Sequence, residues 1–260
     1  MRVERFGDGL PEVAIVAAIH GDEPCGVTAV ERLLAADLSV RRPVALVVAN
    51  EAALERGERF LEADLNRSFP GDSESEAHEV RLAADLADLL ADCETLAIHS
   101  TRSHAEPFGV VERLDDWSRR IAPALPLESI VESGHLVDGR LFASVDRLIE
   151  VEAGHQGTAA AAENAHRIAL AFLTATGALP GTPLHRELPV YRLTEDIQKR
   201  PADEYEVHVE NFQQVAAGDA FASQDDQPLT AEEPFYPVLL SADGYESRFG
   251  YAAERVGTLR

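Results

Sequence analysis

Four short segments carry residue types that together can activate water at a metal ion. The first is His20-Gly21-Asp22-Glu23. A His and a Glu three apart, on a tight turn entering a helix, can face one ion. Zn2+ accepts imidazole and carboxylate at about 2.0–2.2 Å and uses three protein ligands in catalytic sites. Alone the pattern is weak, because a His bonded to a backbone carbonyl and a Glu serving a helix N-terminus look the same in sequence. The second segment, Ile98-His99-Ser100, offers a third ligand 76 residues beyond Glu23. The third runs from Arg59 through Asp64-Leu65-Asn66-Arg67 to Phe69-Pro70-Gly71. Its two guanidinium forks and one amide suit a carboxylate, although a surface Arg–Asp network would read alike. The fourth is Ile149-Glu150-Val151-Glu152-Ala153-Gly154, where strand alternation puts Glu150 and Glu152 on one face. A carboxylate beside an ion can serve as general base.

These residues need a scaffold that brings them together. Glu12–Ile19 and Pro43–Ala49 are short apolar runs that read as buried strands, the first ending at His20. Thr95–Ile98 reads as a third strand ending at His99, and Arg147–Val151 as another leading to Glu152. Between them, Pro24 opens a helical pattern over Val27–Ala36. Ser73–Asp92 reads as an amphipathic helix with Ala77, Val80, Ala84, Ala87 and Leu90 on its apolar stripe. Thr158–Thr176 is an Ala-rich helix closed by Gly177. Strands alternating with helices predict an α/β fold: a mostly parallel or mixed central sheet flanked by helices. Each candidate segment then falls at the carboxyl edge of the sheet or in a loop beside it, where such folds bind ligands. From Pro180 onward short alternating runs replace helical patterns: Pro189–Leu193, Glu206–Val209, Phe235–Leu239 and Phe249–Ala252. The expected organisation is an α/β hydrolase unit over 1–179 and a smaller β-rich C-terminal domain over 180–260.

The order HGDEPCG, RFLEADLNRSFPG, IHS and EVEAG resembles the succinylglutamate desuccinylase/aspartoacylase family, which is related to zinc carboxypeptidases. The resemblance implies the zinc-carboxypeptidase-like fold and a family-type β-rich tail. It implies that His20, Glu23 and His99 are zinc ligands and that Glu152 is the general base. It implies that Arg59 polarises the scissile carbonyl, and that Asn66 and Arg67 grip a substrate carboxylate. The expected activity is hydrolysis of the linear amide of a small anionic N-acyl amino acid. The alternatives are a zinc carboxypeptidase acting on peptide C-termini and a catalytically silent ligand-binding homologue. One departure stands out: the family often has Asp two positions before its second metal His, and this chain has Ala97. Arg102, His104, Arg140 and His155 are further pocket candidates without assigned roles.

Composition narrows the partners. Against 46 acidic residues stand 23 basic ones, of which only Lys199 is a lysine, for a net charge of −23. Such a surface repels nucleic acid and anionic membranes. No apolar run approaches the roughly 20 residues of a transmembrane helix, and no secretory signal is visible at the charged start. Cys25 and Cys93 are too few for a disulfide framework. The expectation is a cytoplasmic protein, admitting a homo-oligomer, from a halophilic, salt-accumulating cell. Its melting temperature should then rise between about 0.1 and 2 M KCl as the surface charge is screened. A flat melting temperature over that range removes the argument for halophily.

Overall fold

The computed structural model of the protein describes residues 1–36, 38–136 and 139–260. Its strands in chain order are β1 (Arg2–Phe6), β2 (Val13–Ala17), β3 (Val44–Val48), β4 (Glu94–Thr101), β5 (Phe108–Val111), β6 (Ser129–Glu132) and β7 (Leu148–His155). They continue with β8 (Leu188–Gln198), β9 (Tyr205–Val207), β10 (Ala220–Gln224), β11 (Gln227–Thr230), β12 (Tyr236–Val238) and β13 (Arg248–Leu259). The helices are α1 (Cys25–Ala35), α2 (Glu51–Arg56), α3 (His78–Leu90), α4 (Asp116–Ile121) and α5 (Ala159–Ala175).

Ten strands form one mixed sheet in the order β1-β3-β2-β4-β7-β5-β6-β8-β13-β12. Its centre, β3-β2-β4-β7, is parallel throughout. These strands read as continuous apolar runs because both faces are covered. Along β2, Val13, Ile15 and Ala17 join the core that includes α1 and α5, whereas Ala14 and Val16 join the core under α3. Leu86 of α3 is fully buried there, a burial that contributes about 1.5–3 kcal/mol. No helix among the described residues is long and apolar enough to cross a membrane.

The predicted helix over 73–92 is shorter than expected, and its inner face is different. Asp72 and Ser75 side chains accept from the Glu74 and Ala77 backbone N–H groups, a local competition that delays the helix until His78. The buried face is then Glu79, Leu82, Ala83, Leu86 and Leu90 rather than the stripe through Val80, Ala84 and Ala87. A charged residue leads that face because Glu79 anchors a loop, as described below. β4 and β7 also run further than expected, so His99 and Glu152 lie inside strands.

Residues 180–260 are helix-free and divide their strands between two sheets. β8 joins the large sheet parallel to β6, and β13 and β12 follow antiparallel. β9, β10 and β11 form a separate three-stranded antiparallel sheet.

Candidate active site

Three neighbouring parallel strands, β2, β4 and β7, aim their carboxyl ends at one cavity of about 160 Å3. After β2 the chain turns sharply so that His20 and Glu23 both enter the cavity. The turn requires glycine at position 21: a Cβ there would stand 2.3 Å from the Ala53 carbonyl carbon and 2.6 Å from the Glu58 oxygen. The Gly21 N–H donates to the Arg59 carbonyl at 3.1 Å, which binds this turn to the loop carrying Arg59.

His99 on β4 sits in register with Glu152 on β7, and immediately beyond them the ladder is irregular. Three steps along β7, from Glu152 to His155, match two along β4, from His99 to Thr101. This bulge redirects backbone as well as side chains, and the Ser100 N–H donates to Glu23 Oε2 at 3.1 Å.

His20, Glu23 and His99 form a buried group whose donor atoms all lie within 4.8 Å of one another. Glu23 Oε1 is 2.7 Å from His20 Nδ1, and Glu23 Oε2 is 3.1 Å from His99 Nδ1. His99 Nε2 is buried without a hydrogen-bond partner among the described residues. Two imidazoles and a carboxylate are a donor set suited to zinc, so these residues fit a metal ion. Without a metal the cluster favours a proton. Burial disfavours a charged His20, but Glu23 and Asp64 outweigh it and lift the imidazole above its ordinary range. Burial likewise opposes ionisation of Glu23, yet His20 and His99 hold its carboxyl well below the usual range. Metal binding at His20 would therefore compete with a proton.

The Arg59–Arg67 loop lies beside this group. Arg59 Nη2 lies 2.9 Å from His20 Nε2, and Arg59 donates Nη1 to Glu23 Oε1 at 3.3 Å, and Nε and Nη2 to Asp64 Oδ2 at 3.3 and 3.2 Å. Asp64 also approaches His20 Nε2 at 3.1 Å and accepts from the Asn66 N–H at 2.9 Å. The loop is held from behind by Glu79. That carboxylate, fully buried, accepts from the Leu61, Glu62 and Ala63 N–H groups at 2.6, 3.1 and 3.2 Å. Asn50, whose Oδ1 caps α2, adds its Nδ2 at 3.1 Å. Charge-assisted bonds of this kind are the stronger ones, and four converge on one side chain.

Asn66 is buried in the cavity wall. Its Nδ2 donates to Glu150 Oε1 at 3.2 Å, and its Oδ1 accepts from the Leu141 N–H at 3.0 Å. Glu150 also pairs with Arg140. Gly139 allows this segment to approach, since a Cβ there would lie 2.3 Å from the Arg67 oxygen. Glu152 lines the same cavity, and its Oε2 is buried with no hydrogen-bond partner among the described residues. Burial first, then the negative charge of Glu23, raises its pKa, with His99 and Arg140 opposing.

Of the unassigned candidates, Arg140 and Arg102 line the cavity, Arg102 at its rim bonded to Gln156 and Asp243. His104 instead pairs with Glu128 and packs on Phe108 and Phe212, and His155 is exposed. Asp64, Glu150 and Tyr245 were not singled out as site residues from sequence. Asp64 lies within the Arg59–Gly71 segment, Glu150 carries only the alternation that puts it on the face of Glu152, and Tyr245 follows the Asp243-Gly244 turn with no signal of its own. Tyr245 comes from the 180–260 segment, which also lines the cavity through Leu193, Val238, Leu239, Ser241 and Tyr251.

Residues 9–136 match the family described as succinylglutamate desuccinylase/aspartoacylase catalytic domain. A succinylglutamate desuccinylase of Pseudomonas fluorescens is 36% identical over 85 residues, 31% of this chain and 25% of that protein. An N-acyl-aromatic-L-amino acid amidohydrolase (carboxylate-forming) of Xenopus laevis is 26% identical over 152 residues, 48% of this chain and 50% of that one. The matches thus span a quarter to a half of these relatives' lengths. The crystal structure of succinylglutamatedesuccinylase/aspartoacylase from Rhodobacter sphaeroides has a TM-score of 0.79 at 19% identity, covering 98% of this chain and 89% of that one. That likeness is one of fold. With its sequence match across the metal-type cluster and the arginine loop, the chain belongs to the succinylglutamate desuccinylase/aspartoacylase family.

Proposed function

We propose that the protein is a zinc-dependent amidohydrolase that cleaves the linear amide of a small N-acyl amino acid. The observation that carries the reading is the pairing, across adjacent strands, of the His20/Glu23/His99 group with an unpartnered Glu152 carboxylate. His20, Glu23 and His99 would hold Zn2+, which supplies Lewis acidity and lowers the pKa of water toward about 7. Glu152 takes the proton from the attacking water and returns it to the departing amine. Its unpartnered oxygen and burial-raised pKa suit a group that alternates between base and acid. Arg59 faces the charge that develops on the carbonyl oxygen. Arg67, which forms no ion pair among the described residues, receives the substrate carboxylate. Asn66 has one amide hydrogen beyond its bond to Glu150 and adds it to that carboxylate.

We treat 1–179 as the hydrolase unit and 180–260 as the appendage that closes one side of its cavity. The relatives named desuccinylase and amidohydrolase favour an amide substrate of this class. The buried free thiols Cys25 and Cys93, the former pushed up to about 12 chiefly by burial, support a cytoplasmic setting.

The test is amine release from N-acetyl and N-succinyl amino acids in high KCl. Release should stop on chelation and return with Zn2+. Release from peptides alone would move the protein to the carboxypeptidases, and binding without turnover would make it a silent homologue.

A further inference from the structure

Charge pairing inside the cavity bears on which N-acyl amino acids fit it, an inference that rests on the hydrolase reading. Four arginines line the cavity, and three face carboxylates of the protein itself. Arg59 is paired with Glu23 and Asp64, and Arg102 with Asp243 at 3.3 Å. Arg140, only 14% exposed at its side chain, is paired with Glu150. Of the four, Arg67 alone has no ion pair among the described residues. Glu150 is itself held in place, because Asn66 donates to its other oxygen and β7 fixes its backbone opposite Ala97 of β4. The small side chain at Ala97 means that no acid on β4 shares the task. Across the cavity, β5, β6, β8, β12 and β13 contribute Val110, Val131, Leu193, Val238 and Tyr251.

We propose that the substrate carries a single carboxylate and a neutral, apolar group, as in the N-acyl derivative of an aliphatic or aromatic amino acid, and that Glu150 enforces this by occupying Arg140. A second carboxylate would enter a cavity whose remaining guanidiniums are already neutralised. It would lose its hydration beside Glu150 and Glu152 without gaining a cation. An apolar group instead meets the valine and tyrosine wall and is desolvated favourably.

Steady-state kinetics of the zinc-loaded protein test this on N-acetyl-L-leucine and N-acetyl-L-phenylalanine against N-acetyl-L-aspartate and N-succinyl-L-glutamate. The monocarboxylates should lead in kcat/KM by at least about 100-fold. Equal or better turnover of the dicarboxylates overturns the proposal while leaving the hydrolase reading intact. If none of the four is hydrolysed, the hydrolase reading fails, and calorimetric binding of leucine against aspartate still decides the selectivity. Tighter leucine binding supports the proposal, and tighter aspartate binding overturns it. Glu150→Gln, checked for a native thermal transition, should shift the kcat/KM ratio toward dicarboxylates by about 10-fold as Arg140 is released. An unchanged ratio in that folded variant removes Glu150 as the selecting residue. Should Glu150→Gln not fold, Val131→Arg supplies the missing cation on the apolar wall, and the same shift of ratio is the expected result.

Discussion

Glu152→Gln is expected to lower kcat by about 10²–10⁴-fold while leaving the protein folded and its zinc content unchanged. The substitution keeps the size and shape of the side chain and removes only its ability to accept and return a proton. Nothing among the described residues depends on Glu152 Oε2 for a hydrogen bond, so the fold should tolerate the change. Glu152 is also absent from the His20, Glu23 and His99 group, so the metal should stay. Two readouts separate this from a structural effect. Zinc stoichiometry should match wild type, and the acid limb of the kcat/KM profile should vanish. The direction of that limb follows from the pKa. A base raised by burial protonates at a higher pH than an ordinary carboxylate, so wild-type activity falls as pH drops through that raised value. Near-wild-type turnover in the Gln variant would sink the general-base role.

How much of this was legible in the sequence depends on what kind of signal each residue carries. β2, β3, β4 and β7 announce themselves because a parallel strand buried on both faces must be apolar throughout, as Val13–Ala17 and Val44–Val48 are. β1 does not, because its RVERF sequence lies at an edge where charges are tolerated. β5 and β6 span only four residues each, too short for a period to stand out from the surrounding loops. The site shows the same division. His99 and Glu152 stand inside strands, and His20 and Glu23 in the turn that follows β2, positions the apolar runs already imply. The groups that support them are read from contacts instead. Glu79 looks like a solvated charge on an amphipathic helix until three backbone N–H groups are found pointing at it. Glu150 looks like a plain strand charge until Arg140, from the loop before β7, and Asn66, 84 residues away in sequence, are found beside it. Ala97, a gap where the resembled family often has an acid, is one side of a pair whose other side is Glu150 on the next strand.

Arg59→Ala is expected to lower kcat by about 10²–10³-fold, with a smaller rise in KM, if this guanidinium acts on charge that appears only in the transition state. Its position argues for that role. Arg59 is pinned by Asp64 on one side and directed by Glu23 and His20 on the other, so its donors are held in place before substrate arrives. A preorganised donor costs no reorientation during reaction, which is where such groups gain their effect. Arg59→Lys should recover little, because a flexible ammonium cannot reproduce a fork that meets Asp64, Glu23 and His20 at once. Arg67→Ala provides the contrast. Arg67 is exposed and without an ion pair among the described residues, and under the proposed function it would bind the substrate carboxylate in ground and transition state alike. Its loss should therefore raise KM with little change in kcat. Steady-state kinetics of the three variants, run beside zinc analysis and thermal melts, separate the two roles. If Arg59→Ala raised only KM while Arg67→Ala collapsed kcat, the assignments would have to be exchanged, and the oxyanion would lie toward Arg67 rather than beside His20.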